Sequence, residues 1–512
     1  MRVVSAAELA DHRSSKSCWV VLHGAVYDLT SFLPHHPGGA RAILTRAGKD
    51  ATKEFDALHA PGTLEEAFPP GDQNVLGTFV AAEADGGNIP APATAAAATT
   101  EIKESPADMI NLNDFEKHAE RTLSEKAWAY YFSASDDMRT KIYNNEIFAR
   151  VLFRPRVFRD VGTVDTTSAL LRVKTTLPVF VCPAALARLA HDDGEKAIAR
   201  AAGRHGVLQM ISNNASLTYT DIVSARVRDD QPFAFQLYVQ NDRKKSEKQL
   251  AEVVRAGCVA VVLTLDAPAP GKRELDERVA RAEARASGFE EEDESEPLSA
   301  SSGLGGKERA AGGGIGKTLF QGTAADLVWP DLIWLRDQLA PSVKIILKGL
   351  QTVEDVVLAS QQTHPRTHAQ LVDGVLLSNH GGRALEGASP PLLLLAELRK
   401  YAPQTFSKLE VYIDGGIRRG TDVVKALCLG ATQVGIGRPA LFALAGGFGA
   451  DGVYRAIQIL REEIETAMRL LGVTSLDQLG LKYVNTTQLD MLLGPDPIQL
   501  EKDSEAFAKA RL

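Results

Sequence analysis

Short apolar runs alternate with helix-like segments along most of the chain. The runs are rich in β-branched residues, and longer stretches with polar and turn-forming residues separate them. They lie at Pro178 to Cys182, Val207 to Ile211, Phe233 to Val239, Ala260 to Leu265, Val343 to Leu347, Val375 to Leu377, Val411 to Ile413 and Gln433 to Ile436. About eight strands that alternate with helices over roughly 300 residues are typical of a (β/α)8 TIM barrel, an α/β fold. A doubly wound open sheet is the alternative. Polar and glycine residues gather at the carboxyl ends of the runs, where TIM barrels build their sites, and this favours the barrel.

The first 83 residues follow a different pattern. Two apolar runs, Trp19 to Leu22 and Val26 to Leu29, flank His23-Gly24 and predict a short hairpin, and broken helical pieces follow. Residues 84–106 carry almost no large apolar side chain, so they cannot bury a core. The sequence therefore predicts a small α+β domain over residues 1–83, a flexible linker over 84–106 and the barrel domain over 107–512.

One connection within the barrel is unusually long. Between Arg273 and Leu319 lie an acidic block, Glu290 to Glu296, and a glycine- and serine-rich tract, Ser299 to Gly316. A loop with so little apolar content is either disordered or a mobile lid. We expect a flexible loop at about 274–318 near the mouth of the barrel, because it follows a strand of the predicted site.

Charge and composition exclude several classes of protein. The chain has 57 Lys and Arg against 65 Asp and Glu, a net charge of −8, so no nucleic-acid-binding surface is indicated. Its four cysteines lie far apart without a CxxC spacing, which argues against a disulfide framework or a structural zinc site. No apolar stretch reaches the ~18 residues of a membrane span. From the first residues we also expect no signal or transit peptide. We expect a cytoplasmic protein without a membrane partner, and the mitochondrial intermembrane space is the alternative.

A turn in the first domain suggests a heme ligand. In Phe32 to Gly39 a proline and two glycines would leave a histidine side chain projecting into a pocket, and His59 follows 23 residues after His36. Two axial imidazoles favour electron transfer, because no coordination position stays open for oxygen. With Tyr27-Asp28-Leu29, these residues resemble the cytochrome b5 family over residues 1 to about 82. The resemblance implies heme b with His36 and His59 as iron ligands.

His380 and Arg383 place a base and a cation three residues apart where an apolar strand ends. A substrate carboxylate held by Arg383 would bring its alpha carbon near the imidazole. Asp266, at the end of the fourth run, could orient His380 and stabilise its imidazolium. Arg273 could join Arg383 in gripping the carboxylate. A surface salt bridge is the alternative role for either arginine alone.

Two glycine-rich turns predict a phosphorylated cofactor. Phosphate anchoring is expected at the last two strands of such a barrel, and the chain offers Asp414 to Gly420 and Gly435 to Pro439 there. Glycines let the backbone approach an anion, and both turns contain arginine. Lys348 ends the fifth strand, where a cation could stabilise a reduced flavin.

Five segments carry a resemblance to the FMN-dependent 2-hydroxy acid oxidizing family over residues from about 107 to 495. They are Ala127 to Tyr131, Gln236 to Val239, Leu265 to Pro268, Ser378 to Arg383 and Asp414 to Gly420. Together with the heme-binding domain they make the chain similar to the flavocytochrome b2 family of cytochrome-linked L-lactate dehydrogenases. The resemblance implies FMN and heme b as cofactors and cytochrome c, or a similar soluble carrier, as the electron acceptor. Relatives form tetramers, so a homotetramer is expected.

The resemblance also assigns roles to residues. His380 is the active-site base, Asp266 its partner, and Arg383 and Arg273 the carboxylate grip. Tyr130 and Tyr238 contribute to catalysis and bind the substrate. Residues expected to bind FMN are Pro183, Ala184, Ala185, Ser212, Gln236, Thr264, Lys348, Asp414, Gly415, Gly416, Arg418, Gly437 and Arg438. Asn214 departs from the family, which has an apolar or aromatic residue at this pocket position, and a polar wall there could suit a longer or hydroxylated substrate.

The expected activity is oxidation of an L-2-hydroxy acid, with lactate as first candidate, to the 2-oxo acid by FMN. Electrons would then pass through heme b to cytochrome c, and the negative net charge would help to attract a basic partner. Two alternatives stay open. The protein could be an oxidase whose flavin reacts with oxygen, or a heme-binding electron carrier with an inactive barrel.

Overall fold

The computed structural model describes residues 2–36, 39–59, 62–69, 71–80, 104–286 and 314–499. The chain divides into two compact units, Met1–Asp108 with Arg278–Gly313 and Met109–Glu277 with Gly314–Leu512. Most of the predicted linker, residues 84–103, lies outside the described residues. The domain boundaries at residues 83 and 107 stay predictions.

The N-terminal unit is built on a mixed sheet. Its strands are β1 (Arg2–Ser5), β2 (Arg13–Ser14), β3 (Ser17–Leu22), β4 (Ala25–Asp28) and β5 (Val75–Val80). Its helices are α1 (Ala6–Asp11), α2 (Ala40–Leu44), α3 (Thr52–Leu58) and α4 (Thr63–Ala67), and a 3-10 turn spans Leu33–His35. The strand order is β1-β5-β4-β3-β2, with β1 parallel to β5 and the other pairs antiparallel.

The predicted hairpin in this unit is confirmed. β3 pairs antiparallel with β4, and Leu22 lies opposite Ala25. His23 and Gly24 between them have φ values of 50° and 77°. Positive φ at both central residues is what a type I′ turn requires, and this turn matches the twist of the two strands.

Alternate residues of β3 belong to two different hydrophobic clusters. Cys18, Val20 and Leu22 are buried with residues of the helices. Trp19 and Val21 are buried with Val4 and Leu9. Since successive strand residues point to opposite faces, the sheet buries apolar side chains on both of its faces.

Three helices, one short strand and one short hairpin precede the barrel. The helices are α5 (Leu112–Thr122), α6 (Glu125–Phe132) and α7 (Arg139–Glu146), and the strands are β6 (Leu152–Phe153), β7 (Ser168–Leu170) and β8 (Val173–Thr175). Asn111 and Asp114 form a capping box at the start of α5, and the Ser124 side chain accepts the Ala127 N–H at the start of α6. These caps fix where both helices begin. α6 carries Tyr130 to the barrel.

The predicted (β/α)8 barrel is confirmed. Its strands are β9 (Val179–Val181), β10 (Gln209–Ile211), β11 (Phe233–Leu237), β12 (Ala260–Thr264), β13 (Lys344–Leu350), β14 (Gly374–Leu377), β15 (Glu410–Asp414) and β16 (Gln433–Ile436). All neighbours are parallel, and β16 pairs with β9 to close the barrel. Each strand corresponds to one of the apolar runs, because a strand covered by helices on one side and by the barrel interior on the other needs apolar residues on both faces.

Helices and one further strand follow in the chain, and one of these helices, at Glu274–Ala286, crosses the unit boundary after Glu277. They are α8 (Gly194–His205), α9 (Tyr219–Ser224), α10 (Arg243–Arg255), α11 (Glu274–Ala286), α12 (Ile315–Thr318), α13 (Asp331–Asp337), α14 (Val353–Ala359), α15 (Pro391–Tyr401), α16 (Gly420–Leu429), α17 (Arg438–Phe442), α18 (Gly449–Leu471), α19 (Thr487–Asp490) and β17 (Val484–Asn485). The barrel interior is filled by side chains that include Phe180, Met210, Ala234, Val262, Ile346, Leu376 and Tyr412. The interior is a packed core, so a ligand can enter only at an end of the barrel.

The long connection differs from the expectation at its two ends. Residues 274–286, predicted as flexible loop, form helix α11, and Ile315–Thr318 form α12. The segment Glu274 to Ala286 contains no glycine or proline, and it places Glu277 four residues before Arg281, a spacing that supports a helix. Residues 287–313, with the acidic block and most of the glycine-rich tract, lie outside the described residues.

Two further observations concern the whole of the described chain. Its helices include none that is long and apolar enough to cross a membrane. All four cysteines are buried free thiols.

Candidate active site and heme site

A cavity of about 440 Å³ opens at the carboxyl ends of the barrel strands. The residues predicted from the sequence that line it are Tyr130, Pro183, Ala184, Ala185, Ser212, Gln236, Tyr238, Thr264, Arg273, Lys348, His380, Arg383, Asp414, Gly415, Gly416, Arg418, Gly437 and Arg438. Asp266 lies behind this surface, with a side chain that has no solvent exposure. The predicted barrel residues are thus brought together at one place.

His380 lies in an unusual turn after β14. It has a φ of 59°, and Gly381 and Gly382 follow with 62° and 75°. A left-handed conformation is unfavourable for a residue with a Cβ, so other contacts must hold it. The Ser378 hydroxyl accepts the His380 N–H at 3.1 Å, and the Asn379 side-chain oxygen accepts the Gly382 N–H at 3.2 Å. These bonds fix the imidazole at the rim.

The His380 imidazole is oriented by Asp266. Its Nδ1 lies 2.8 Å from the Asp266 Oδ1. Because an ionised carboxylate only accepts, Nδ1 carries the proton and Nε2 presents a lone pair to the cavity. The Tyr238 hydroxyl lies 3.5 Å from this Nε2. The arrangement is that of a base with a supporting carboxylate.

Lys348 is the second partner of Asp266. Its Nζ donates to the Asp266 Oδ2 at 3.2 Å and to the Ser378 hydroxyl at 3.1 Å. Burial alone would raise the pKa of the Asp266 carboxyl, but the charges of Lys348 and His380 hold it below its ordinary value. Gly349, with a φ of 98°, leaves room for this pair, since a Cβ there would lie 2.5 Å from the Asp266 Cβ. Asp266 is therefore an ion at neutral pH.

Burial lowers the pKa of the His380 imidazole, and the charge of Asp266 partly offsets that effect. The imidazole is therefore neutral at neutral pH and able to take a proton. Burial raises the pKa of the Tyr238 hydroxyl, and the Asp266 charge adds to the shift. Tyr238 is thus a neutral hydrogen-bond donor beside the base.

Two arginines lie on the cavity wall. The Nη1 of Arg383 donates to the carbonyls of Tyr130, Tyr131 and Ser133 at 2.8, 3.2 and 2.9 Å. Arg273 is 4% exposed, and its Nε has no partner among the described residues. Burial and the neighbouring Arg383 lower the pKa of the Arg273 guanidinium to about 10, so it stays charged. Two neighbouring cations, one of them almost fully buried, suit an anionic ligand.

Several buried polar atoms of the cavity lack a partner among the described residues. They are the Nε2 of Gln236, the Oγ1 of Thr264, the Oδ1 of Asp414 and the Nη1 of Arg418. Buried polar groups are normally hydrogen-bonded, so these atoms fit a ligand with many donors and acceptors. The flavin and ribityl parts of FMN have that character.

The turn after β15 allows a close approach of backbone to ligand. Gly415 and Gly416 have φ values of 85° and 80°. A Cβ at Gly416 would lie 2.0 Å from the Asn144 carbonyl oxygen, so no other residue fits there. Arg418 lies two residues after Gly416 and is ion-paired with Glu116 of α5. The predicted phosphate-anchoring residues are therefore accessible from the cavity.

The sequence did not point to several residues of this cavity. Glu116 and Lys141 come from α5 and α7, and Leu319 and Phe320 follow α12. They precede the barrel or follow its long connection. They do not lie at the end of a predicted strand, which was the signal used to find the other site residues. Asn214, noted as a departure, also lines the cavity, and its Nδ2 donates to the Leu319 carbonyl at 3.4 Å.

In the N-terminal unit, His36 and His59 face each other. Their ring centroids are 6.0 Å apart. The Nδ1 of His36 donates to the Gly39 carbonyl and that of His59 to the Phe55 carbonyl, both at 3.0 Å. Since carbonyls only accept, each Nε2 is left with a lone pair. Metal–imidazole bonds of about 2 Å on opposite sides of one atom would place two ring centroids about 6 Å apart, which matches this separation.

The surroundings of the two histidines are apolar. Phe55 stacks on the His59 ring with centroids 4.3 Å apart, and Phe32 lies 5.9 Å from the His36 ring. Burial lowers the pKa of both imidazoles. Neutral imidazole is the form that binds a metal, so the site fits heme iron.

Two family models match the chain. Residues 5–80 match the cytochrome b5-like heme/steroid binding domain, and residues 119–486 match the FMN-dependent dehydrogenase family. The chain is 38% identical to the L-lactate dehydrogenase (cytochrome) of Wickerhamomyces anomalus, over 94% of this chain and 79% of that protein. It is also 38% identical to the protein of the same description from Saccharomyces cerevisiae, over 93% and 78%.

Solved structures agree with these relatives. The flavin-binding domain of baker's yeast flavocytochrome b2 superimposes with a TM-score of 0.64 at 36% identity, covering 78% of this chain and 92% of that one. The cofactors are FMN in the barrel and heme b in the N-terminal unit. The chain belongs to the FMN-dependent dehydrogenase family and, with its cytochrome b5-like heme domain, to its flavocytochrome b2 branch.

Proposed function

We propose that this protein oxidises an L-2-hydroxy acid, with L-lactate as the first candidate, to the 2-oxo acid and delivers the electrons to a soluble cytochrome c. The observation that carries the proposal is the His380 Nε2, which faces the cavity while Nδ1 is held at 2.8 Å by the Asp266 carboxylate. A neutral base in the same cavity as two arginines, of which Arg273 is buried, suits a substrate that is both an acid anion and a proton donor.

The two arginines would bind the carboxylate of the substrate. Arg383 and Arg273 both line the cavity, and Arg273 is almost fully buried. A carboxylate between them would gain charge-assisted hydrogen bonds. The hydroxyls of Tyr130 and Tyr238 lie on the same wall and would orient the oxygens of the substrate.

Proton removal falls to His380. Its Nε2 takes a proton from the substrate, and the imidazolium that forms lies against the Asp266 carboxylate, which stabilises the charge. Bound FMN supplies the two-electron acceptor for this oxidation, and heme b supplies a one-electron relay. Lys348 holds a buried positive charge beside the base, where it would stabilise negative charge that develops in the cavity. Gln236, Thr264, Asp414 and Arg418 would hold FMN through their free polar atoms.

His36 and His59 would both bind the heme iron. With two imidazoles on the iron no position stays open for oxygen, so the heme transfers electrons only. The acceptor, a basic cytochrome c, would be attracted by the net charge of −8. For the compartment we propose the mitochondrial intermembrane space, the alternative of the sequence analysis, on the strength of the similarity to the yeast enzymes. Immunodetection in fractionated cells would test this.

Assembly as a homotetramer is part of the proposal. Large apolar side chains are exposed on adjoining segments at one side of the barrel unit: Leu152, Val157, Phe158 and Leu470. Backbone bonds from Arg154 to Tyr483 and from Arg156 to Leu471 hold these segments together. Exposed apolar side chains in one area favour association with another subunit. Light scattering of the purified protein gives the number of subunits.

The activity is tested by anaerobic absorption spectra before and after addition of L-lactate, glycolate, L-mandelate and L-glycerate. We expect one of these acids to bleach the flavin band and reduce the heme bands together. A bleached flavin with oxidised heme, together with oxygen consumption in air, would favour the oxidase alternative. No change with any of the acids would contradict the proposed substrate class. A preference for glycerate would link the polar side chain of Asn214 to a hydroxylated substrate.

A further inference from the structure

The carboxyl end of α6 is surrounded by three cations. Its last carbonyls accept hydrogen bonds from Arg383, Arg438 and Lys141. The Lys141 Nζ donates to the Phe132 carbonyl at 2.9 Å and lies 3.0 Å from the centroid of the Phe132 ring. Carbonyls at the end of a helix need such donors, and cations suit the negative end of the helix dipole.

Lys141 also faces the cavity. It lines the cavity together with Glu116, Arg418 and Arg438. Burial and the nearby positive charge of Arg438 lower the pKa of the Lys141 ammonium to about 7. The carboxylate of Glu116 is already ion-paired with Arg418. This end of the cavity is therefore electrostatically unfavourable for its own cations, and an anion bound there would stabilise them.

The charges of all residues that line the cavity also favour an anionic ligand. Its cationic lining residues are Lys141, Arg273, Lys348, Arg383, Arg418 and Arg438, and its acidic ones are Glu116, Glu146 and Asp414. Asp266 neutralises Lys348 from behind the surface. The remaining excess of positive charge suits two anionic groups. One is the substrate carboxylate, and the other is a phosphate, which carries a charge of about −1.5 to −2 at neutral pH.

We propose that Lys141 binds the phosphate of FMN together with Arg418. The inference rests on the proposed placement of FMN in the cavity and adds a ligand that comes from outside the barrel strands. An ammonium has three donors. One of them is taken by the Phe132 carbonyl, so the same side chain can hold the end of α6 and contact the phosphate. FMN binding would then also order the helix that carries Tyr130.

A purely structural role for Lys141 is the competing explanation, and the chain contains a matched control for it. The Lys425 Nζ donates to the Phe148 carbonyl at 3.0 Å and lies 5.4 Å from the Phe153 ring centroid. Like Lys141 it is half-buried, and burial lowers its pKa. Lys425 does not belong to the lining of the cavity. Lys425→Met therefore removes the same kind of capping contact without touching the proposed phosphate site.

The experiment compares flavins with and without a phosphate. Full-length protein with heme bound is depleted of flavin and titrated with FMN, with riboflavin, and with riboflavin plus inorganic phosphate, and binding is followed by quenching of flavin fluorescence. The titrations use wild type, Lys141→Met, Lys141→Arg and Lys425→Met. No substrate is present, so the result is independent of the proposed activity.

We expect Lys141→Met to weaken FMN binding by about 10- to 100-fold, the loss of one charge-assisted hydrogen bond, and to leave riboflavin binding unchanged. Lys141→Arg should retain most of the FMN affinity, and Lys425→Met all of it.

If inorganic phosphate strengthens riboflavin binding in wild type but not in Lys141→Met, the site accepts phosphate as such, which also supports the proposal. Unchanged FMN affinity in Lys141→Met, or an equal loss for both flavins, would overturn it. If wild type binds FMN no better than riboflavin, the placement of FMN fails, and this inference fails with it.

Discussion

The side-chain amides of Asn144 and Asn379 exchange two hydrogen bonds. The Nδ2 of Asn144 lies 2.8 Å from the Oδ1 of Asn379, and the Nδ2 of Asn379 lies 2.7 Å from the Oδ1 of Asn144. Both side chains are buried. The pair joins α7, which precedes the barrel, to the turn that carries His380.

This amide pair should stabilise both the fold and the active-site turn. Asn144→Ala would leave the buried Asn379 amide with two bonds, to the Ser389 carbonyl and from the Gly382 N–H, and should lower the free energy of unfolding by about 1–3 kcal/mol. A cycle with Asn379→Ala and the double variant, measured by denaturant unfolding, should give a coupling energy of about 0.5–3 kcal/mol. Strictly additive effects would mean that the two amides act independently.

Replacing the proposed base should block substrate oxidation while both cofactors stay bound. His380→Gln retains a polar side chain but cannot take a proton. We expect the rate of flavin reduction by substrate to fall by about 10²- to 10⁴-fold in anaerobic stopped-flow experiments. Unchanged flavin and heme spectra of the resting protein are the control. A rate within a few fold of wild type would exclude His380 as the base.

The pH dependence should follow the lowered pKa of the His380 imidazole. Only the neutral imidazole takes a proton, so kcat/KM should be constant at neutral pH and decline as the pH falls through this pKa, below the ordinary value of about 6.5. Asp266 raises the pKa of His380, whereas Lys348 lowers it. Asp266→Asn should therefore move the acid limb to lower pH and reduce the maximal rate. An acid limb that moves to higher pH would contradict this electrostatic relationship.

Loss of one heme ligand should separate reduction of the flavin by substrate from transfer of electrons to cytochrome c. His36→Ala should abolish the heme spectrum and cytochrome c reduction, while the substrate still reduces the flavin. His35→Ala is the matched control, because His35 is exposed and has no proposed role. The absorption spectrum and a cytochrome c assay measure both effects. Retention of heme by His36→Ala would show that another residue binds the iron.

The strands could be predicted from the sequence because each buried strand contains a run of apolar residues. Each apolar run became one strand of the barrel. Thr264 at the end of β12 and Lys348, two residues before the end of β13, became part of the cavity. Lys141 and Asn144 were not predicted. They lie on a helix before the barrel, and only the tertiary fold brings them beside Arg438 and Asn379.

The turn at His380 illustrates the same limit. The sequence shows a histidine before two glycines, but not that all three residues have positive φ. That conformation depends on partners from elsewhere, the Arg438 Nη1 at the Gly381 carbonyl and the Asn144 amide at Asn379. Helix α11 was missed because the acidic block that follows it suggested one continuous loop.

His36, His59 and His380 all donate through Nδ1 and present Nε2. The chain thus presents one tautomer at two kinds of site, and the acceptor behind the ring differs between them. A neutral carbonyl behind His36 and His59 leaves an electron-pair donor suited to a metal. The carboxylate behind His380 stabilises the protonated imidazole, because the positive ring is held against a negative partner.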